Sequence, residues 1–129
     1  MSEKIKILFA CVENSFRSQL AEAIANHFFS DKIIAESAGS APIGKVHPNT
    51  LAVLNDMGIN TSSLYSKGFN EVKLKNYDYV ITMGCKDKCP FYPAKANLEW
   101  ELPDIKNNPI EDIKKLAEDI KKRINDLLS

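Results

Sequence analysis

The sequence has no excess of either charge: lysine plus arginine and aspartate plus glutamate number 17 each among 129 residues. No global field therefore points to nucleic acid or an acidic membrane, and any anion must be attracted locally. Long apolar runs are missing too. Nothing approaches the roughly 18 consecutive apolar residues of a membrane span, and Met1 to Lys6 lacks the apolar core of a secretory signal. A cytoplasmic protein with no membrane or nucleic-acid partner is expected. Cysteine is scarce, with three in all, an odd number that suits metal binding or redox chemistry in a reducing compartment better than structural disulfides. Repeats, linkers and low-complexity tracts are absent, so one domain over 1–129, a monomer, is expected.

What is present alternates between strand and helix patterns. Lys4 to Ala10 ends in a continuous apolar run, as a strand buried on both faces of a parallel sheet does. Leu20, Ala21, Ile24, Ala25 and Phe28 then recur at helical spacing, which predicts a helix from Arg17 or Ser18 to about Phe29. Ile33 to Ser37 reads as a second strand and Pro48 to Met57 as a second helix, stopped by Gly58. Tyr77 to Met83 reads as a third strand, ended by Gly84, and a short fourth strand is placed around Asn97 to Trp100. Ile113, Leu116, Ala117, Ile120, Ile124 and Leu127 form the apolar stripe of a closing helix from Pro109 to Leu128. Together these predict an α/β fold, an open parallel sheet that binds its ligand beyond the carboxyl ends of the strands.

Cys11-Val12-Glu13-Asn14-Ser15-Phe16-Arg17-Ser18 occupies such a position, between the first strand and the first helix. Successive backbone amides of Val12 to Ser18, with the positive helix end, can surround a tetrahedral oxyanion, and Arg17 adds a two-pronged donor. The same field favours the thiolate of Cys11, a nucleophile facing the bound anion. Asn14 can tie the loop to backbone, Ser18 can donate to the sulfur, and Ser15 could do either. Beyond the third strand, Cys85 and Cys89 are four residues apart, a spacing that shares one face if the segment is helical. On residues alone they could also pack in a loop or form half of a zinc site, although no second short-spaced pair follows. His27 is read as structural; His47 could be structural or functional, with a surface position favoured.

Cys11 to Glu22, Cys-x-x-Asn-Ser-x-Arg-Ser-Gln-Leu-Ala-Glu, resembles the signature of the arsenate reductases built on the low-molecular-weight tyrosine phosphatase fold, and Ser37-Ala38-Gly39 matches a second family element. The similarity extends over nearly the whole chain. It implies a three-layer, four-stranded parallel sheet flanked by helices and a covalent oxyanion intermediate on Cys11. It further implies a relay in which Cys85 attacks the Cys11 adduct and releases arsenite, and Cys89 then attacks the disulfide at Cys85. Thioredoxin is implied as the external dithiol that resets the Cys85–Cys89 bridge, with no bound cofactor. Asp104 stands at the position of the family's general acid, which a neutral carboxyl with a raised pKa would fill.

Some positions depart from the family. Glu13 replaces a common glycine, Phe16 a common cysteine, and Ile105 a common proline after Asp104. Some relatives bind potassium near Asn14, Glu22 and Ser37; here Lys67 stands at the place of the fourth, acidic ligand, so an ammonium is expected instead and no metal. Two other readings are a phosphomonoesterase, in which water resolves a phosphocysteine and the later thiols protect it, and a non-enzymatic sensor with three thiolate ligands. The sensor lacks a nucleic-acid-binding helix and gives Arg17 no purpose.

Overall fold

A computed structural model describes residues 3–84 and 92–129. Four strands, β1 (Ile5–Cys11), β2 (Ile33–Gly39), β3 (Tyr77–Thr82) and β4 (Ala94–Glu99), form one parallel sheet in the order β2-β1-β3-β4. The α-helices are α1 (Arg17–Phe28), α2 (Pro48–Asp56) and α3 (Ile110–Leu127), with a 3-10 turn at Phe69–Glu71.

β1 is central because both of its faces are apolar, and it pairs with β2 along its whole length, from Ile5 on Ile33 to Cys11 on Gly39. Ile7, Phe9 and Cys11 face the main core, to which α1, α2 and α3 contribute Leu20, Ile24, Val53, Leu54, Ile113 and Ile120. Leu8 faces the other way, into a smaller cluster with Ala38, Tyr77 and Val80, covered by Phe69, Val72 and Leu74. The apolar stripe of α3 explains that helix: Ile113, Leu116, Ala117, Ile120 and Ile124 are its buried positions. Among the described residues, no helix is long and apolar enough to cross a membrane.

β4 begins earlier than the expected Asn97 to Trp100 and ends at Glu99. It is an edge strand whose exposed Lys95, Asn97 and Glu99 alternate with half-buried Ala94, Ala96 and Leu98. Such dilute alternation gives little apolar signal to read. The chain leaves β1 towards β2 on one side and reaches β3 on the other, so the strand order switches direction at β1. In open parallel sheets the ligand crevice lies at the carboxyl end of this switch point, where Cys11 is the last residue of β1.

Candidate active site

The loop from Cys11 to Arg17 has its carbonyls tied outward. Ser40 N–H donates to the Cys11 carbonyl at 3.3 Å, Ala41 N–H to Val12 at 2.8 Å, and Ile43 N–H to Glu13 at 3.3 Å. The Glu13 carbonyl also accepts from Ser66 Oγ at 3.0 Å, and that of Asn14 from Gln19 Nε2 at 3.1 Å. The Ser15 carbonyl accepts from His47 N–H and Thr50 Oγ1, both at 2.9 Å, and that of Phe16 from Leu20 N–H at 2.9 Å. No peptide bond among the described residues is cis, and in a trans peptide the N–H points opposite to the carbonyl. Fixing six carbonyls outward therefore turns the amides of Val12 to Arg17 to the other side of the loop, where they converge as donors.

Those donors surround a pocket of about 190 Å³ lined by Cys11, Val12, Glu13, Ser15, Phe16, Arg17, Asp104 and Lys106. Cys11 is 3% exposed, and its Sγ lies 2.8 Å from Ser18 Oγ. Asn14 Nδ2 donates to the same Ser18 oxygen at 2.7 Å, which leaves the hydroxyl proton available to a thiolate. Asn14 and Ser18 are fully buried and do not line the pocket, so their side chains brace the nucleophile from behind and do not meet substrate. Ser15 contributes its carbonyl to the loop's outer anchoring.

Asn14 takes a left-handed conformation, φ 51°, which asparagine tolerates better than most residues. Its Oδ1 accepts from Lys67 N–H and Gln19 Nε2, each at 2.9 Å. Lys67 Nζ in turn meets Glu22 Oε1 at 3.1 Å, and Ser37 Oγ donates to that oxygen at 2.7 Å. Lys67 and Glu22 thus form a buried ion pair behind the loop, tied to Ser37 and Asn14.

Arg17 Nη1 donates to the Leu102 carbonyl at 3.0 Å, and its Nη2 lies 3.9 Å from Asp104 Oδ2. Asp104 thus reaches the pocket as expected, but its protonation differs from expectation. Burial alone raises its pKa, yet the Lys106 hydrogen bond and the charges of Arg17 and Lys106 outweigh burial and hold the carboxyl below the usual range. These neighbours favour the carboxylate form of Asp104 over the expected neutral acid. The expected helical pairing and movement of Cys85 and Cys89 lie outside the described residues.

The family model described as low molecular weight phosphotyrosine protein phosphatase matches residues 6–129. The chain belongs to this family. An arsenate reductase of Shouchella clausii is 39% identical over 107 residues, covering 81% of this chain and 76% of its own length. A solved Corynebacterium glutamicum thioredoxin-dependent arsenate reductase is also 39% identical, with a TM-score of 0.76. That alignment covers 98% of this chain but only 61% of the Corynebacterium chain. A solved arsenate reductase in a phosphate binding state is 28% identical at a TM-score of 0.82, with 95% of each chain covered.

In this member of the phosphatase family, the roles of several site residues leave no local pattern in the sequence. His47 caps α2, its Nδ1 accepting from Asn49 N–H at 3.1 Å, while its Nε2 lies 3.2 Å from Asn107 Oδ1. It joins the helix to the acid loop through a partner 60 positions away, a separation that no local pattern reveals. Gln19 is a similar hub, reaching Asn14 and the Tyr65 carbonyl. Lys106 had a local signal, a cation two residues after the acid.

A larger groove, about 600 Å³, runs past Leu74 to Tyr77 and Tyr92 to Lys95 at the amino ends of β3 and β4. Its described lining offers lysines and tyrosines but no cysteine or arginine, and it lies at the end of the sheet opposite Cys11.

Gly84 follows β3 with φ 79°, and a β-carbon there would overlap the Arg17 guanidinium. The missing side chain is what lets Arg17 lie flat at the pocket. Gly84→Ala should lower kcat/KM for the oxyanion about a hundredfold by displacing Arg17; steady-state kinetics that stay within threefold of the unsubstituted enzyme would remove Gly84 from this role.

Proposed function

We propose that the chain reduces arsenate to arsenite by a thiol relay through Cys11, Cys85 and Cys89, reset by a thioredoxin-like dithiol. The observation that carries the reading is that Gly84, packed against Arg17 of the Cys11 pocket, is followed directly in sequence by Cys85, with Cys89 four positions on. The names of the similar proteins support arsenate as the substrate, and that of the Corynebacterium glutamicum protein supports thioredoxin as the reductant.

Cys11 attacks the arsenic of singly charged dihydrogen arsenate. A sulfur–arsenic bond forms, and one arsenate oxygen leaves as water, carrying its own proton and the thiol proton. The Cys11 adduct keeps the other three oxygens, one proton and one negative charge. The pocket amides and Arg17 hold those oxygens, while Ser18 and Asn14 hold the sulfur. The Cys85 thiol then attacks the Cys11 sulfur; the sulfur–arsenic bond breaks, its electron pair stays on arsenic, and the Cys85 proton leaves with the product as singly charged dihydrogen arsenite. Arsenic gains two electrons and the two sulfurs lose them. Cys89 displaces Cys11 from the disulfide, regenerating its thiol and leaving Cys85–Cys89. The external dithiol reduces this bridge by the same exchange. The family's other chemistry, hydrolysis of a phosphate monoester through phosphocysteine, would need Cys11 and Arg17 but neither later thiol.

Cys85→Ser separates the two. In an assay coupled to thioredoxin and thioredoxin reductase, this variant should lose arsenite production at least about a hundredfold, with hydrolysis of p-nitrophenyl phosphate kept at the unsubstituted level. Mass mapping of the oxidised unsubstituted enzyme should find the Cys85–Cys89 bridge. Unimpaired arsenate reduction by Cys85→Ser would sink the relay.

A further inference from the structure

We propose that Lys106, paired with Asp104, reads the fourth oxygen of the bound oxyanion and so selects an inorganic oxyanion over a phosphate ester. The inference deepens the reading above and rests on Cys11 attacking an anion held in the amide loop.

Lys106 Nζ lies 2.9 Å from Asp104 Oδ2 on the acid loop and 3.7 Å from Glu13 Oε1 on the anion loop. One ammonium therefore ties the two rims of the pocket together. Its side chain is only 25% exposed, and its backbone is held: the Lys106 carbonyl accepts from Asn49 Nδ2 at 2.7 Å, next to the contact between Asn107 and His47. The Asp104 hydrogen bond leads the influences that raise the Lys106 pKa, so the group stays an ammonium at neutral pH.

An in-line attack by Cys11 places three oxygens of the ligand in the amide loop and Arg17, with the fourth pointing away from the sulfur. The remaining charged lining of the pocket is Glu13, Asp104 and Lys106; of these Lys106 is the donor, and it contacts both carboxylates. On an inorganic oxyanion the fourth oxygen carries a proton or a charge: carboxylate Asp104 can accept the O–H, and Lys106 can donate to a lone pair. Both members of the pair are then satisfied. On an ester that oxygen has no proton and bears carbon, so Asp104 faces an acceptor and the organic group must pass through the gap that Lys106 bridges. Leaving a polar partner unmatched is a means of rejecting an analogue, and of the pair Lys106, 25% exposed, is more enclosed than Asp104, 42% exposed.

The test measures binding at Cys11 without requiring turnover. The reduced enzyme is alkylated with iodoacetamide, and protection of the Cys11 peptide is followed by mass spectrometry against inorganic phosphate and against phenylphosphonate, an ester mimic that cannot be hydrolysed. The unsubstituted enzyme should be protected by phosphate at a concentration at least about tenfold lower than by phenylphosphonate. Lys106→Met and Lys106→Gln should each shrink that ratio about tenfold, chiefly by weakening phosphate, whereas Lys106→Arg should keep most of it. A general loss of positive charge would weaken both ligands together, and a fold defect would do the same. Either parallel weakening or an unchanged ratio overturns the proposal. If the ratio behaves as expected but the unsubstituted enzyme forms no arsenite with thioredoxin, the reductase reading fails and the selectivity for inorganic oxyanions stands.

Discussion

Cys11→Ser should reduce arsenite production by more than roughly a thousandfold, to the background of the coupled assay, without unfolding the protein. Oxygen replaces sulfur at the floor of the pocket, beside Ser18 Oγ, and a serine hydroxyl is neither ionised near neutral pH nor able to form the disulfide on which the relay depends. The amides and Arg17 remain, so calorimetric titration with inorganic phosphate should still show binding within about a few fold of the unsubstituted enzyme. The two readouts divide the site into its anion cradle and its nucleophile. Residual turnover above one part in a hundred would mean that another thiol can attack arsenate, and the assignment of Cys11 would fall.

Lys67→Met should be the most destabilising single change. The Lys67 and Glu22 side chains are 5% and 11% exposed and 3.1 Å apart. Removing the ammonium leaves a nearly buried carboxylate whose Oε1 keeps the Ser37 hydroxyl among the described residues, and breaking such a pair costs about 3–5 kcal/mol. In a domain of this size that is a fall in melting temperature of about 10–20 °C. Adding Glu22→Gln removes the stranded charge and should recover part of the loss, because the interior charge, not the missing contact, is the larger penalty. Urea unfolding with an unchanged slope checks both; a loss below about 1 kcal/mol, or no recovery in the double variant, would contradict the account. Asn14 receives the backbone N–H of Lys67, which methionine also has, so the folded fraction should remain catalytically competent.

These two residues were legible in the sequence to different degrees. Cys11 was plain because strand, thiol, arginine and helix follow within one short segment, and a local arrangement leaves a local pattern. Lys67 was legible only through the resemblance, since its partner Glu22 is 45 positions away. The fold followed from apolar periodicity wherever a strand or helix had a buried face, as in β1 and α3. It slipped at β4, where Lys95, Asn97 and Glu99 face solvent. The charge state of Asp104 was misread for a physical reason: its position suggested an acid, but its protonation depends on the distances to Arg17 and Lys106, which the fold alone sets. The roles of His47 and Gln19 were not legible, because their bonds to Asn107 and to the Tyr65 carbonyl, 60 and 46 positions away, leave no periodicity behind.

The outward anchoring of the loop's six carbonyls bears on how this family can drift. The pocket grips its ligand with peptide N–H groups, atoms that every amino acid but proline supplies. The half-buried side chain at position 12 can then be exchanged while the mould keeps its shape, whereas Phe16 is buried in the main core and its exchange also costs packing. Inheritance of the site depends less on the letters inside the loop than on the donors at Ser40, Ala41, Ile43, His47 and Thr50 that hold it from outside.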